Sequence, residues 1–196
     1  DPRWGRGQET YGEDPYLTSV LGVAAVKGLQ GNDPKFFKTH ACAKHFAVHS
    51  GPESTRHSAT VWPTDYDLQE TYLPHFERTV KEGGAYSVMC AYQRLRGIPC
   101  CGSQFLENIL RNEWNFGGYI VSDCWAIKDF YDKNAHNMLP TPEESAAMAV
   151  QAGTDLNCGV VYAQSLLKAV QKGLVTEAEI NTSVRRLLLA RMKLGE

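Results

Sequence analysis

Four short apolar runs in this chain each give way to side chains that can carry charge, move a proton or grip a polar ligand. Tyr119-Ile120-Val121 enters through Gly117-Gly118 and leaves through Ser122-Asp123. A carboxylate at that point could act as a nucleophile, or it could cap the next helix through backbone N–H groups. A second run ends in Lys44-His45, two neighbouring groups suited to clamping hydroxyls. The structural alternatives are a lysine paired with a carboxylate and a satisfied core histidine. Using Lys44 as a Schiff-base amine would be a third chemistry. Met89 and Tyr92 close the third run, and Asp155 and Asn157 the fourth. Arg3 and Arg6 flank Trp4-Gly5, where a guanidinium fork could bind a carboxylate or a sugar, or simply be solvated. If the runs are parallel neighbouring strands, all these groups converge on one rim.

Other chemistries fit poorly. Ser122 is not in a G-x-S-x-G turn, which argues against a serine hydrolase. His45 and His49 alone have H-x₃-H spacing, but at a strand–loop junction that spacing is not expected to bring the rings together, so no metal site is expected. No glycine-rich phosphate loop follows a strand. A net charge of −2 gives no electrostatic case for nucleic acid or an anionic membrane. No apolar run reaches the roughly 18–20 residues of a membrane span. The start, Asp1-Pro2-Arg3-Trp4-Gly5-Arg6, resembles neither a signal peptide nor a natural N-terminus, so a piece of a longer protein is expected. The six cysteines lack zinc-site spacing, which leaves free buried thiols, the favoured reading, or isolated disulfides.

The elements needed to position these groups alternate. Asp14-Pro15 opens a helix that Gly31 stops. A strand over 39–44 follows, then a polar loop over 49–64 and a helix over 67–81 ended by Gly83-Gly84. Next come a strand over 86–92, a loop through Gly97, a helix over 103–113 capped by Ser103, and the strand over 118–122. Helix 142–152, a strand over 154–157 and helices 160–172 and 176–193 complete the chain, with Thr176 and Glu179 forming a capping box. Strict alternation predicts right-handed βαβ units and a parallel sheet. Four strands are too few for a closed eight-stranded barrel, so the α/β fold is either open and doubly wound or about half a barrel.

Taken together, Asp1-Pro2-Arg3-Trp4-Gly5-Arg6-Gly7-Gln8-Glu9-Thr10, Gly12-Glu13-Asp14-Pro15, Lys44-His45-Phe46, Val88-Met89-Cys90-Ala91-Tyr92 and Val121-Ser122-Asp123 resemble glycoside hydrolase family 3, in that family's order. The resemblance implies a partial (β/α)8 TIM-type barrel, roughly its second half, with residues 1–196 as a single incomplete domain lacking the N-terminal strands and a C-terminal domain. It implies retaining hydrolysis of terminal β-linked sugars, with Asp123 as the nucleophile that forms a covalent glycosyl-enzyme. Arg6, Lys44 and His45 match positions that hydrogen-bond sugar hydroxyls, and Met89, Tyr92 and Trp125 match the subsite lining. Lys44 and Arg6 would help keep Asp123 ionised.

Cys124 after the nucleophile, with Asp155-Leu156-Asn157-Cys158-Gly159 later, resembles the β-xylosidase and arabinofuranosidase branch, with β-glucosidase as the alternative. Cys124 and Cys158 are expected to be neighbours, with a bond between them left open. The implied partners are an oligosaccharide or aryl β-glycoside and a missing domain that supplies the acid/base. Glu53 is a weak internal stand-in for it, and the chain alone is expected to be inactive. A catalytically incomplete sugar-binding remnant is the rival reading. No cofactor or metal is implied, and the family resemblance suggests a periplasmic or secreted setting.

Overall fold

A computed structural model describes residues 4–196; Asp1, Pro2 and Arg3, the start of the first motif, lie outside them. The helices are α1 (Pro15–Gln30), α2 (Asp65–Asp67), α3 (Pro74–Lys81), α4 (Gln104–Asn108), α5 (Ala126–Asp129), α6 (Pro142–Gln151), α7 (Val161–Gln171) and α8 (Glu177–Lys193). The strands are β1 (Cys42–Phe46), β2 (Thr60–Val61), β3 (Ser87–Cys90), β4 (Arg94–Leu95), β5 (Ile98–Pro99) and β6 (Tyr119–Ser122). Strands β1, β3 and β6 form a parallel sheet in the order β1-β3-β6. This is the β/α repeat that the alternation predicts, opened as an arc of a TIM-type barrel.

Local chemistry fixes the helix ends. Asp14 accepts the Tyr16 N–H, and Thr141 accepts the Glu144 N–H. Thr176 and Glu179 close a reciprocal capping box on α8. Gly118 is required because a Cβ there would lie 2.1 Å from the Tyr86 carbonyl oxygen. That close approach starts the β3–β6 pairing.

The outer face of the sheet is buried under helices. Phe46, Val88, Leu68, Leu110, Ile127 and Phe130 are each almost fully buried in one core, where Phe46 meets Phe76 and Trp114 edge-on. The opposite face carries Cys42, Lys44, Met89, Tyr119 and Val121, and remains partly or fully exposed. Alternating side chains therefore divide a packed outer face from an open inner one.

Several elements differ from the expected ones. The helix over 67–81 breaks: Leu68–Tyr72 forms a wide π turn before α3 begins at Pro74. Pro74 has no N–H to continue the hydrogen-bond ladder. Likewise α4 widens into a π turn over Ile109–Glu113. The loop over 49–64 contains β2, which pairs with the hairpin β4–β5 to make a second small sheet. Arg96 and Gly97, both with positive φ, make that hairpin's tight turn. The strand over 154–157 shrinks to one bridge, Val121 to Leu156. Gly153 at φ 76° turns the chain there, and the residues on either side of Leu156, buried Asp155 and partly buried Asn157, bond to the Ile120 N–H and the Ser122 hydroxyl.

Two disulfides join Cys90 to Cys101 and Cys124 to Cys158, with Cα separations of 5.1 and 4.4 Å. Free thiols are therefore limited to Cys42 and Cys100, and the reading that favoured free cysteines throughout is corrected. Cys124 and Cys158 meet because each follows one side of the parallel Val121–Leu156 bridge, whereas Cys101 reaches Cys90 from the turn after β5. No helix among the described residues is long and apolar enough to cross a membrane.

Candidate active site

The rim at the carboxyl ends of β1, β3 and β6 gathers Arg6, Glu9, Lys44, His45, His49, Tyr92 and Asp123. Strand β6 ends at Ser122, whose buried hydroxyl accepts the Cys158 N–H and the Asn157 amide. Asp123 follows, 6 % exposed, with Oδ1 accepting the Cys124 N–H at 2.8 Å. Trp125 adopts a left-handed backbone and donates its N–H to the Cys158 carbonyl at 2.7 Å. The chain thus turns away directly after Asp123, and the Cys124–Cys158 bond pins that turn.

Arg6 reaches across the rim from the N-terminal 3-10 turn. Its Nη2 lies 2.8 Å from His45 Nε2, its Nη1 lies 3.4 Å from His49 Nε2, and Nη1 stands 3.7 Å from Asp123 Oδ2. A guanidinium only donates, so both Nε2 atoms must accept. This network assigns the His45 proton to Nδ1. His45 Nε2 is 3.3 Å from Asp123 Oδ2 but has no proton to give it. Asp123 Oδ2 is consequently buried with no hydrogen-bond partner. Burial, then the nearby Arg6 and Lys44 charges, hold His45 down at about 3, in keeping with a neutral ring.

Lys44 and His45 are joined by a cis peptide, as are Phe46 and Ala47. The chain then turns sharply at Val48, whose φ is 64°. The His45 and His49 rings therefore meet at 5.1 Å, which corrects the expectation that they stay apart: strand geometry has ended by then. His49 Nδ1 donates to Gln93 Oε1 at 2.9 Å. No group of three or more His, Cys, Asp and Glu among the described residues is placed to hold a metal ion.

Glu9 is the acidic partner that the sequence reading overlooked as a functional group. Arg6 Nε donates to it at 2.7 Å and Lys44 Nζ at 2.6 Å. These bonds, Arg6 first, pull the Glu9 carboxyl down to about 2. Glu9 thus pairs with the Lys44 ammonium, and of the two cations it is Arg6, 3.7 Å away, that stands directly beside the Asp123 carboxylate. The only sequence signal for Glu9 was the presence of a carboxylate three residues after Arg6.

Tyr92 is buried beside Asp123. Burial, and then the neighbouring carboxylate, raise its phenol well above the ordinary value. Met89 lies in register with Lys44 and Val121, one step below the rim on the inner face. Trp125 is half-exposed at the outer edge. Asp155 is not part of the rim, contrary to expectation. It accepts the Ile120 N–H at 2.9 Å and pairs with Arg111 and Arg186, near the opposite end of β6. Glu53 is taken up by Arg56 at 2.8 Å.

The buried histidines give the fold an acid weakness. Burial lowers His75 and His136 to about 4, alongside His45 at about 3, from an ordinary 6.5. Between those values the unfolded chain binds more protons, so stability falls as pH drops from about 6.5 toward 4. Asp129, raised to about 6 chiefly by burial, works in the opposite direction but is a single group. Urea midpoints are expected to be lower at pH 5 than at pH 7; an equal or higher midpoint at pH 5 would contradict this.

The Glycosyl hydrolase family 3 N terminal domain model matches residues 1–190. A xylan 1,4-beta-xylosidase from Xylanibacter ruminicola is 55% identical over 200 residues, which cover 100% of this chain and 23% of that protein. A solved GH3 exo-beta-xylosidase in complex with a xylobiose aziridine probe superposes with TM-score 0.94 at 34% identity, covering 100% of this chain and 26% of the other. A beta-glucosidase from Listeria innocua in complex with glucose gives TM-score 0.89 at 34% identity, with 100% and 27% coverage. The chain therefore spans about a quarter of the length of these relatives.

Proposed function

Because this chain belongs to glycosyl hydrolase family 3, within its N-terminal domain, we propose that it carries the nucleophile half of a retaining exo-acting β-glycosidase site, with terminal β-D-xylosides as substrate. The supporting observation is Asp123 Oδ2, a buried carboxylate oxygen with no hydrogen-bond partner at the centre of a donor-rich rim. An oxygen to which no hydrogen bond is made keeps its lone pairs for an anomeric carbon. Oδ1, held by the Cys124 N–H, fixes the rotamer. Attack forms a glycosyl ester and expels the aglycone; water then breaks the ester. Arg6 and Lys44 provide N–H donors for sugar hydroxyls, neutral His45 provides a ring edge, and Met89, Tyr92 and Trp125 wall the subsite.

The proton for the leaving group comes from a second carboxyl about 5–5.5 Å from the first in such enzymes. We assign it to a domain outside residues 1–196, so the chain alone lacks turnover and is one part of a larger site. The xylosidase relatives favour a xyloside over a glucoside. Two disulfides support a periplasmic or secreted setting.

A 2-fluoro xylosyl donor with a good leaving group is the direct test. Mass spectrometry of the inactivated full-length protein is expected to find one xylosyl adduct on Asp123. An adduct on another carboxylate, or turnover without an ester, would overturn the assignment.

A further inference from the structure

The candidate nucleophile is tied back to Tyr92 through a pair of residues that the proposed site leaves unused. His57 sits in the segment between β1 and β2, and its Nδ1–H donates to Asp129 Oδ2 at 2.7 Å. Asp129 is buried at the last position of α5, the helix that starts three residues after Asp123. The His57 ring meets the Tyr92 ring edge-on, with centroids 4.6 Å apart at 64°. Arg56 lies 5.3 Å from the centroid of the same ring. The Tyr92 backbone is held as well: its carbonyl accepts from His136 Nε2 at 2.8 Å, and the His136 N–H donates to the Asp129 carbonyl at 2.9 Å.

Both lines of support for Tyr92, ring and backbone, thus end on Asp129. The Ala126 N–H donates to the Asp123 carbonyl at 3.0 Å, so α5 is anchored to the nucleophile residue itself. The path runs Asp123, α5, Asp129, His57, Tyr92 and back to Asp123. Burying a carboxylate to hold a half-exposed histidine is a poor way to gain stability, because desolvation opposes the pair. It is a good way to fix one geometry.

We propose that His57 and Asp129 are positioning residues that hold the Tyr92 phenol against the Asp123 carboxylate, and so keep the nucleophile in its attacking rotamer. This rests on the reading of Asp123 as nucleophile. Small misplacements at a reacting centre cost up to about 100-fold in rate. Loss of this indirect hold should cost about tenfold, in the ester-forming step and not in affinity.

The test is the rate of inactivation of the full-length protein by the 2-fluoro xylosyl donor. His57→Phe keeps a ring against Tyr92 but cannot donate to Asp129, and Asp129→Ala removes the acceptor. Both are expected to slow inactivation about tenfold with little change in donor affinity and with the adduct still on Asp123. Asp129→Asn, which still accepts from His57, should recover most of that rate. In a Tyr92→Phe background, His57→Phe should cost less than about twofold more, because coupled residues are not additive.

A full tenfold cost on top of Tyr92→Phe, or an unchanged rate in both single variants, would overturn the proposal. His57 is half-exposed, so its variant remains informative if Asp129→Ala fails to fold. A wild-type protein that acquires no adduct on Asp123 would instead remove the underlying site reading, and the positioning role with it.

Discussion

Asp123→Asn is expected to lower kcat of the full-length protein on an aryl β-xyloside by about four orders of magnitude, on the scale of other nucleophile removals. At about 1.4 kcal/mol per tenfold, that is roughly 5–6 kcal/mol of lost transition-state stabilisation. The geometry explains why the neighbours cannot compensate. Arg6 and Lys44 carry only donors, and Glu9 is locked between them. His45 has its one acceptor nitrogen engaged by Arg6. Asn keeps the contact to the Cys124 N–H, so the fold should survive and the loss should fall on chemistry. Kinetics together with circular dichroism check this: a variant that retains more than about a hundredth of the activity would exclude Asp123 as nucleophile. With azide, Asp123→Gly should yield a glycosyl azide of the anomeric configuration opposite to the substrate, since the small anion occupies the face that the carboxylate vacates.

Asp155→Ala has the largest expected effect on stability. The Asp155 side chain is 0% exposed and satisfies Arg111, Arg186 and the Ile120 N–H together. Its removal leaves Arg111 inside the protein without its principal counter-charge. Breaking a buried pair on one side costs about 3–5 kcal/mol. For a unit of this size that corresponds to about 6–20 °C in the midpoint of its thermal transition. Asp155→Asn keeps an acceptor for Ile120 and should lose distinctly less. A shift below about 3 °C for the alanine variant would show that the three partners find water or other acceptors instead. Because the pair lies away from Asp123, the remaining folded fraction should keep its inactivation rate by the fluoro donor.

The acidic residues show where sequence reading reached and where it stopped. The place of Asp123 at a strand end was legible because a Gly-Gly turn, an apolar run and the acid are consecutive residues, while its reading as a nucleophile came from the family resemblance. Asp155 carried a similar signal, an acid after a short apolar stretch, yet it faces the far end of β6. Its orientation depends on Arg111 and Arg186, which lie 44 and 31 residues away. Glu9 offered only its place three residues after Arg6, because its second partner, Lys44, crosses from 35 residues away to meet it. The helix caps at Asp14, Thr141 and Thr176 were legible for the opposite reason: each bond is made within three residues.

By itself, then, the sequence determined the β/α alternation, the helix starts, the candidate nucleophile with its Arg6, Lys44, His45, Met89, Tyr92 and Trp125 neighbours, and the resemblance to one hydrolase family. All of these rest on short-range periodicity or contiguous motifs. Only the tertiary structure decided which carboxylates face the rim, that Lys44 serves Glu9, that Cys124 bonds Cys158, and that the His45 and His49 rings touch. Those outcomes depend on strand register and on turns that bring distant residues within a few ångströms. Hydrogen bonds and ion pairs act only at that range, so their partners are set by the fold and not by spacing along the chain.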